Sequence, residues 1–149
     1  MEAKQPVTMQ TVGEIERLLR EISTIVKIKG REILNAFPIT NPQFDALYLL
    51  HQEGDMTIGE LSQRMFLACS TMTDLVDRME KNGVVERVRD NRDRRVVRIH
   101  MLEKGRKVIH EVLEARRKYL ADVLSGLSDS EKLEIKTHLA VLYEEMKKS

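Results

Sequence analysis

The chain carries one cysteine, no tryptophan and three prolines, and only 4% of its residues are aromatic. A lone cysteine makes no internal disulfide, which agrees with a reducing compartment. The four histidines, His51, His100, His110 and His138, form no cluster with cysteine or carboxylates at metal-ligand spacing, so no metal site is expected. Also missing are a phosphate-cradling Gly-rich loop, a Gly-x-Ser-x-Gly elbow and a Cys-x-x-Cys pair. Without any of these there is no basis for an enzyme or for a bound cofactor. No apolar run of about 18 residues and no signal-peptide pattern occurs, so no membrane association is expected and the chain reads as soluble and cytoplasmic. Charge of one sign is not in excess, at 25 basic against 24 acidic residues. A surface for an anionic partner therefore has to be local.

The 149 residues fit one domain, 1–149, long enough to bury roughly 70% of its unfolded surface. Residues 1–9 read as a loose start. From about Met9 to Phe37, Val12, Ile15, Leu18, Leu19, Ile22, Ile25, Val26, Ile33 and Leu34 recur at helical spacing, with Gly30 as a weak point. Pro38 stops this helix. Asn41-Pro42 restarts one, Asn41 as cap and Pro42 at the first helical position, with Phe44, Leu47, Tyr48 and Leu50 as its apolar residues. It breaks at Gly54-Asp55. Near the other end a long helix spans about 103–125. Ser128-Asp-Ser-Glu131 then forms a capping box for a last helix to about Lys147.

Between these lies the segment that carries the chemistry. Thr57-Ile-Gly-Glu60 is a capping box, and Ile58, Leu61 and Met65 give the short helix after it one apolar face. Met72, Leu75, Val76 and Met79 repeat the pattern, and Gly83 is placed for a left-handed cap. Two short helices joined by a tight turn form a helix-turn-helix. Ser70, Thr71, Thr73, Asp74 and Arg78 lie off the apolar stripe of the second helix. These are side-chain types that reach base edges in a major groove, although an ordinary solvated face has the same look. Two β-rich runs follow, Val84 to Arg89 and Arg95 to Met101, around the polar tip Asp90-Asn-Arg-Asp-Arg-Arg95. Residues 84–101 hold six arginines and no lysine, against three acids. Arginine suits phosphates and a narrow minor groove, so Arg87, Arg89, Arg92, Arg94 and Arg95, with Asp93, are the candidate wing residues.

The order of capping box, second helix, Asp-Arg-Met-Glu-Lys-Asn-Gly-Val-Val, then Arg-Asp-x-Arg-Asp-x-Arg and a hydrophobic strand running into Glu-Lys-Gly resembles the MarR family of bacterial transcriptional regulators. The resemblance extends over roughly residues 10–146 and is distinctive between 57 and 105. It implies a mainly α fold with a small β wing: a winged helix-turn-helix over 41–101, with long helices at 10–37 and 103–148 forming a dimerisation region. It further implies a homodimer on a pseudopalindromic double-stranded DNA operator, acting as a repressor that a small aromatic or phenolic ligand relieves. In the family, the acid matching Asp93 orients the arginine matching Arg95, which enters the minor groove. Four sites depart from the pattern. Phe66 stands where the family often has Gly in the turn, which predicts a tighter-packed or differently shaped turn. Ala68 replaces the usual Ser cap, so Ser70 or a backbone group has to substitute. Met101-Leu102 replaces Leu-Thr before the next helix. An acid, Asp74, also stands where a basic residue is frequent.

Two further sites each have a plainer alternative. Cys69 sits at the start of the second helix, where oxidation would alter the reading surface; the alternative is a small residue of the turn. Phe37 and Tyr48 are candidates for an effector cleft, with core packing as the competing role. The alternatives to a ligand-relieved repressor are a winged-helix module for protein contact, which needs no arginine-rich tip, and a thiol-based redox-responsive regulator acting through Cys69.

Overall fold

Residues 7–149 are described by the structure, a computed structural model, and they form six helices and three short strands. The loose start expected over residues 1–9 lies mostly outside them. The chain divides into two units, one running through Val112 and one from Leu113 to Ser149.

Helix starts follow the chemistry of the free N–H groups in a first turn. α1 (Met9–Leu34) is capped by Thr8, whose hydroxyl accepts from the Thr11 N–H. α2 (Asn41–Glu53) is capped not by Asn41 but by Thr40, whose hydroxyl accepts from the Gln43 N–H while Gln43 Oε1 accepts from the Thr40 N–H. That reciprocal box satisfies two donors where Asn41 would satisfy one, and Asn41 and Pro42 move into the first turn. α3 (Ile58–Met65) and α6 (Asp129–Lys147) begin at the expected boxes, Thr57 with Glu60 and Ser128 with Glu131. α4 (Cys69–Lys81) has Ala68 at its N-cap and no side-chain cap, so Ser70 does not substitute. α1 ends at Leu34 rather than Phe37. The N–H groups of Ala36 and Phe37 bond three residues back, tightening the last turn, and Pro38 keeps Phe37 out of a continuing helix.

Two of the strands were expected, β2 (Val85–Arg89) and β3 (Val97–Met101); the third, β1 (Met56–Thr57), was not. The sheet is antiparallel in the order β1-β3-β2, with Met56 opposite Ile99, Thr57 opposite Arg98, and Arg87 opposite Ile99 on the other side. The core of the first unit gathers under this sheet and the helix-turn-helix. Leu47 of α2, Leu61 of α3, Met72, Val76 and Met79 of α4, Val85, Ile99, and Ile109 and Val112 of α5 (Glu103–Leu124) are all fully buried. Each such side chain contributes about 1.5–3 kcal/mol of burial. α5 approaches closely enough that a Cβ on Gly105 would lie 2.4 Å from the Val84 carbonyl oxygen.

The long helices bury far less. Along α1 only Gly30 and Leu34 are buried, while Val12, Ile15, Leu18, Ile22, Ile25 and Val26 are exposed. In the second unit α6 has no buried residue, and Leu133, Leu139, Tyr143 and Met146 stand open.

Candidate nucleic-acid interface

The helix-turn-helix is α3, a short turn and α4. Phe66 makes the turn at φ 56°, ψ 40°, the left-handed conformation, and Leu67 N–H bonds the Ser62 carbonyl at 2.9 Å. The expected tighter packing is absent: the Phe66 side chain is 95% exposed. The residue takes the backbone shape a glycine would take without strain, and its ring gains nothing from it. The four expected core residues of α4, Met72, Leu75, Val76 and Met79, are buried, which turns Ser70, Thr71, Thr73, Asp74 and Arg78 outward. Thr73 Oγ1 already donates to the Cys69 carbonyl at 2.8 Å, so only its lone pairs remain for a partner. Cys69 is the first residue of α4 and exposed, with its Sγ 3.3 Å from Ser62 Oγ. α4 has no side-chain cap, and an uncapped helix N-terminus is an end suited to an anionic oxygen.

At its other end α4 closes as the glycine predicted. Gly83 has φ 73°; its N–H bonds the Glu80 carbonyl at 3.0 Å and the Val84 N–H bonds the Met79 carbonyl at 3.1 Å, a Schellman cap. Lys104 of α5 adds a hydrogen bond from Nζ to the Asn82 carbonyl at 2.7 Å.

The hairpin tip is organised by two aspartates. Asp90 Oδ1 accepts from the N–H groups of Arg92 at 2.7 Å and Asp93 at 3.4 Å, while Oδ2 accepts from Arg98 Nη2 at 3.2 Å. The Arg92 N–H, then the Arg98 guanidinium, hold the Asp90 carboxyl below its ordinary range. Asp93 holds Arg95 through both carboxylate oxygens, with Nε on Oδ1 at 3.1 Å and Nη2 on Oδ2 at 3.3 Å, and Oδ1 also takes the Arg95 N–H. The Arg95 side chain lowers the Asp93 pKa, and the backbone N–H adds to it. The Arg95 guanidinium is thus oriented while its side chain stays 91% exposed. Arg89 donates from Nη1 to the Arg94 carbonyl at 2.8 Å, and Arg89, Arg92 and Arg94 are exposed without a carboxylate partner among the described residues.

Arg87 does not stand with them. Its guanidinium bonds Asp77 and Glu80 of α4, and its side chain is 29% exposed. Burial works against its charge, the two carboxylates outweigh that, and its pKa is raised. Both partners of Arg87 lie on another element, so its own strand gives no sign of the two ion pairs. The available signal was the acidic pair three residues apart on the second helix.

Tyr48 lines a shallow cavity between α2 and α3 with Asp45, Leu49, Arg64, Met65 and Phe66, and Phe37 is not part of that lining. Tyr48 stacks on Phe44 with ring centroids 6.1 Å apart, and its hydroxyl accepts from Gln52 Nε2 at 3.2 Å. Tyr48 thus packs against Phe44 while it lines this cavity. Among the described residues no group of three or more His, Cys, Asp or Glu is placed to hold a metal ion, and no helix is long and apolar enough to cross a membrane.

Comparison with known proteins agrees with this architecture. The profile of the MarR family matches residues 39–97. The uncharacterized HTH-type transcriptional regulator YsmB of Bacillus subtilis (strain 168) is 53% identical over 140 residues, which cover 94% of this chain and 96% of that protein. The structure of a MarR family protein from Bacillus stearothermophilus superposes with a TM-score of 0.88 at 54% identity, covering 95% of this chain and 99% of that one. The transcriptional regulator Tm0710 from Thermotoga maritima gives a TM-score of 0.79 at 38% identity, over 91% of this chain and 96% of its own. A helix-turn-helix whose second helix turns polar residues outward, an arginine-tipped hairpin beside it, and likeness over nearly the whole chain carry one conclusion: the chain belongs to the MarR family of winged helix-turn-helix transcriptional regulators.

Proposed function

We propose that the chain acts in the cytoplasm as a homodimeric repressor, bound to a pseudopalindromic double-stranded operator through α4 and the hairpin tip. The single observation that carries this is the Asp93–Arg95 pair, an oriented and almost fully exposed guanidinium at the end of a hairpin. A positioned guanidinium fits the narrow, negative minor groove of A·T-rich DNA. Ser70, Thr71, Asp74 and Arg78 face the major groove, with Thr73 accepting only. Arg89, Arg92 and Arg94 supply phosphate contacts. Two-fold operators require two-fold protein symmetry, and the exposed stripe Val12, Ile15, Leu18, Ile22, Ile25 and Val26 of α1 and, taken separately, the exposed apolar residues of α6 are each open for a second copy to cover.

The test is Kd against salt on DNA upstream of the chain's own reading frame and on scrambled DNA. Arg95→Ala should weaken operator binding by about 1–3 kcal/mol. Asp93→Ala should weaken it too, although it removes a negative charge. Tighter binding by Asp93→Ala would replace the oriented arginine with a merely basic loop, and unchanged binding by Arg95→Ala would take the tip out of the interface. Sedimentation equilibrium at micromolar concentration should give a dimer; a monomer there removes the two-fold reading.

A further inference from the structure

Among the described residues, Arg87 alone joins the hairpin to α4 by ion pairs. Nη2 donates to Asp77 Oδ1 at 2.6 Å, Nη1 donates to Glu80 Oε1 at 2.5 Å, and the Arg87 N–H donates to Glu80 Oε2 at 3.2 Å. Asp77 and Glu80 are three residues apart, so they share the edge of α4 that borders β2. One guanidinium therefore spans two carboxylates of the helix while its own backbone is pinned in the strand. Three interactions from one residue fix both the distance and the rotation of β2 relative to α4. The tip extends from the far end of the same strand, so a small rotation at Arg87 becomes a larger displacement at Arg95.

Electrostatics gives the same residue a second task. Asp74, Asp77 and Glu80 put three acids on the helix proposed to enter a groove lined by phosphates. Asp77 and Glu80 are neutralised by Arg87, which leaves Asp74 as the one unpaired acid of the three, free to accept from a base donor.

We propose that Arg87 is a positioning residue for operator recognition: it locks the hairpin to α4 at the spacing that lets both elements engage one half-site, and it masks the two acids beneath it. This rests on the DNA-binding reading above. A phosphate contact by Arg87 is the competing role, and the two differ in sign. If Arg87 holds a phosphate, the double variant Asp77→Asn/Glu80→Gln releases its guanidinium, removes two negative charges and tightens binding to every DNA. If Arg87 is the clamp, the same variant loosens the hairpin and weakens operator binding about tenfold, without weakening binding to scrambled DNA.

The experiment uses the full chain, the DNA upstream of its reading frame and a scrambled duplex. Arg87→Ala should weaken operator binding about tenfold and leave the salt slope unchanged, where loss of a phosphate contact lowers it by about one. In the Asp77→Asn/Glu80→Gln background it should add no further loss. Arg87→Lys keeps the charge but not the fork, and should fail to restore operator affinity. Hydrogen exchange of the free protein should speed up over residues 87–97 in Arg87→Ala while α2 and α3 keep the parent's protection. Tighter binding by the double variant, or a salt slope lowered by one in Arg87→Ala, overturns the proposal. Should the parent bind no DNA at all, the DNA reading falls, and the clamp then stands or falls on the exchange of residues 87–97.

Discussion

Phe66→Gly should stabilise the protein, against the usual expectation that replacing a large apolar residue with glycine is harmful. The ring is 95% exposed, so truncation forfeits almost no burial. The backbone is at φ 56°, where a Cβ costs about 1–2 kcal/mol and glycine costs nothing. Against that gain stands the freedom glycine adds to the unfolded chain, about 0.5–1 kcal/mol. The difference is about 0–1.5 kcal/mol in favour of the variant, a rise in Tm of up to about 6 °C for a chain of this size. Calorimetry and urea unfolding should be run at one fixed protein concentration, because self-association makes Tm depend on it. Phe66→Ala is the control. It removes the same exposed ring but keeps the Cβ, so it should fall at or below the parent. If alanine stabilises as much as glycine, the effect belongs to the exposed ring, and the strain argument fails.

The neighbouring cap offers a second gain. Ala68→Ser places a hydroxyl where the backbone is already extended at φ −66°, ψ 149°, and should add about 1 kcal/mol in urea unfolding; no change would mean the first N–H groups of α4 are satisfied otherwise. Gly105→Ala should do the reverse. Its Cβ would meet the Val84 carbonyl oxygen at 2.4 Å, and the backbone shift required should lower stability by about 1–3 kcal/mol in the same assay. Asp90 and Asp93 should titrate below 3.8 when followed by carboxyl NMR. A depressed folded pKa means their support of the tip is complete above 3.8 and is lost as pH falls through the lower folded values. Arg95→Ala should bring Asp93 back toward 3.8 while Asp90 stays low; midpoints at 3.8 in the parent would contradict the hydrogen bonds described.

Much of this architecture was legible in the chain because its signals are local. Thr57 with Glu60, Ser128 with Glu131 and Gly83 each declare a helix end within four residues, and the stripe from Met72 to Met79 is buried as its spacing requires. The misses share a cause. Thr40 and Asn41 are adjacent cap formers, and the choice fell to Gln43, whose side chain closes the box from the first of them. Met56-Thr57 is too short to show alternation, and its strand exists only because β3 lies beside it. Arg87 looked like one more arginine of the wing, since nothing in residues 84–101 reveals that Asp77 and Glu80 will face it.

Thr57 belongs to two structures at once: it caps α3 and sits opposite Arg98 in the sheet. Everything from Thr57 to Arg98, which includes both helices of the helix-turn-helix and the tip, is thereby a loop closed at its ends by β1 and β3. Closing a loop of that length carries an entropic charge that the local helices do not. The order of assembly follows: α3 and α4 collapse early on contacts near in sequence, and β3 docks late, with Ile99 sealing the core from between its two neighbours. A destabilising change at Ile99 should then accelerate unfolding far more than it slows folding, while one at Leu61 or Val76 should slow folding. The hairpin is accordingly no detachable appendage: the strand that carries it back is also the latch of the domain.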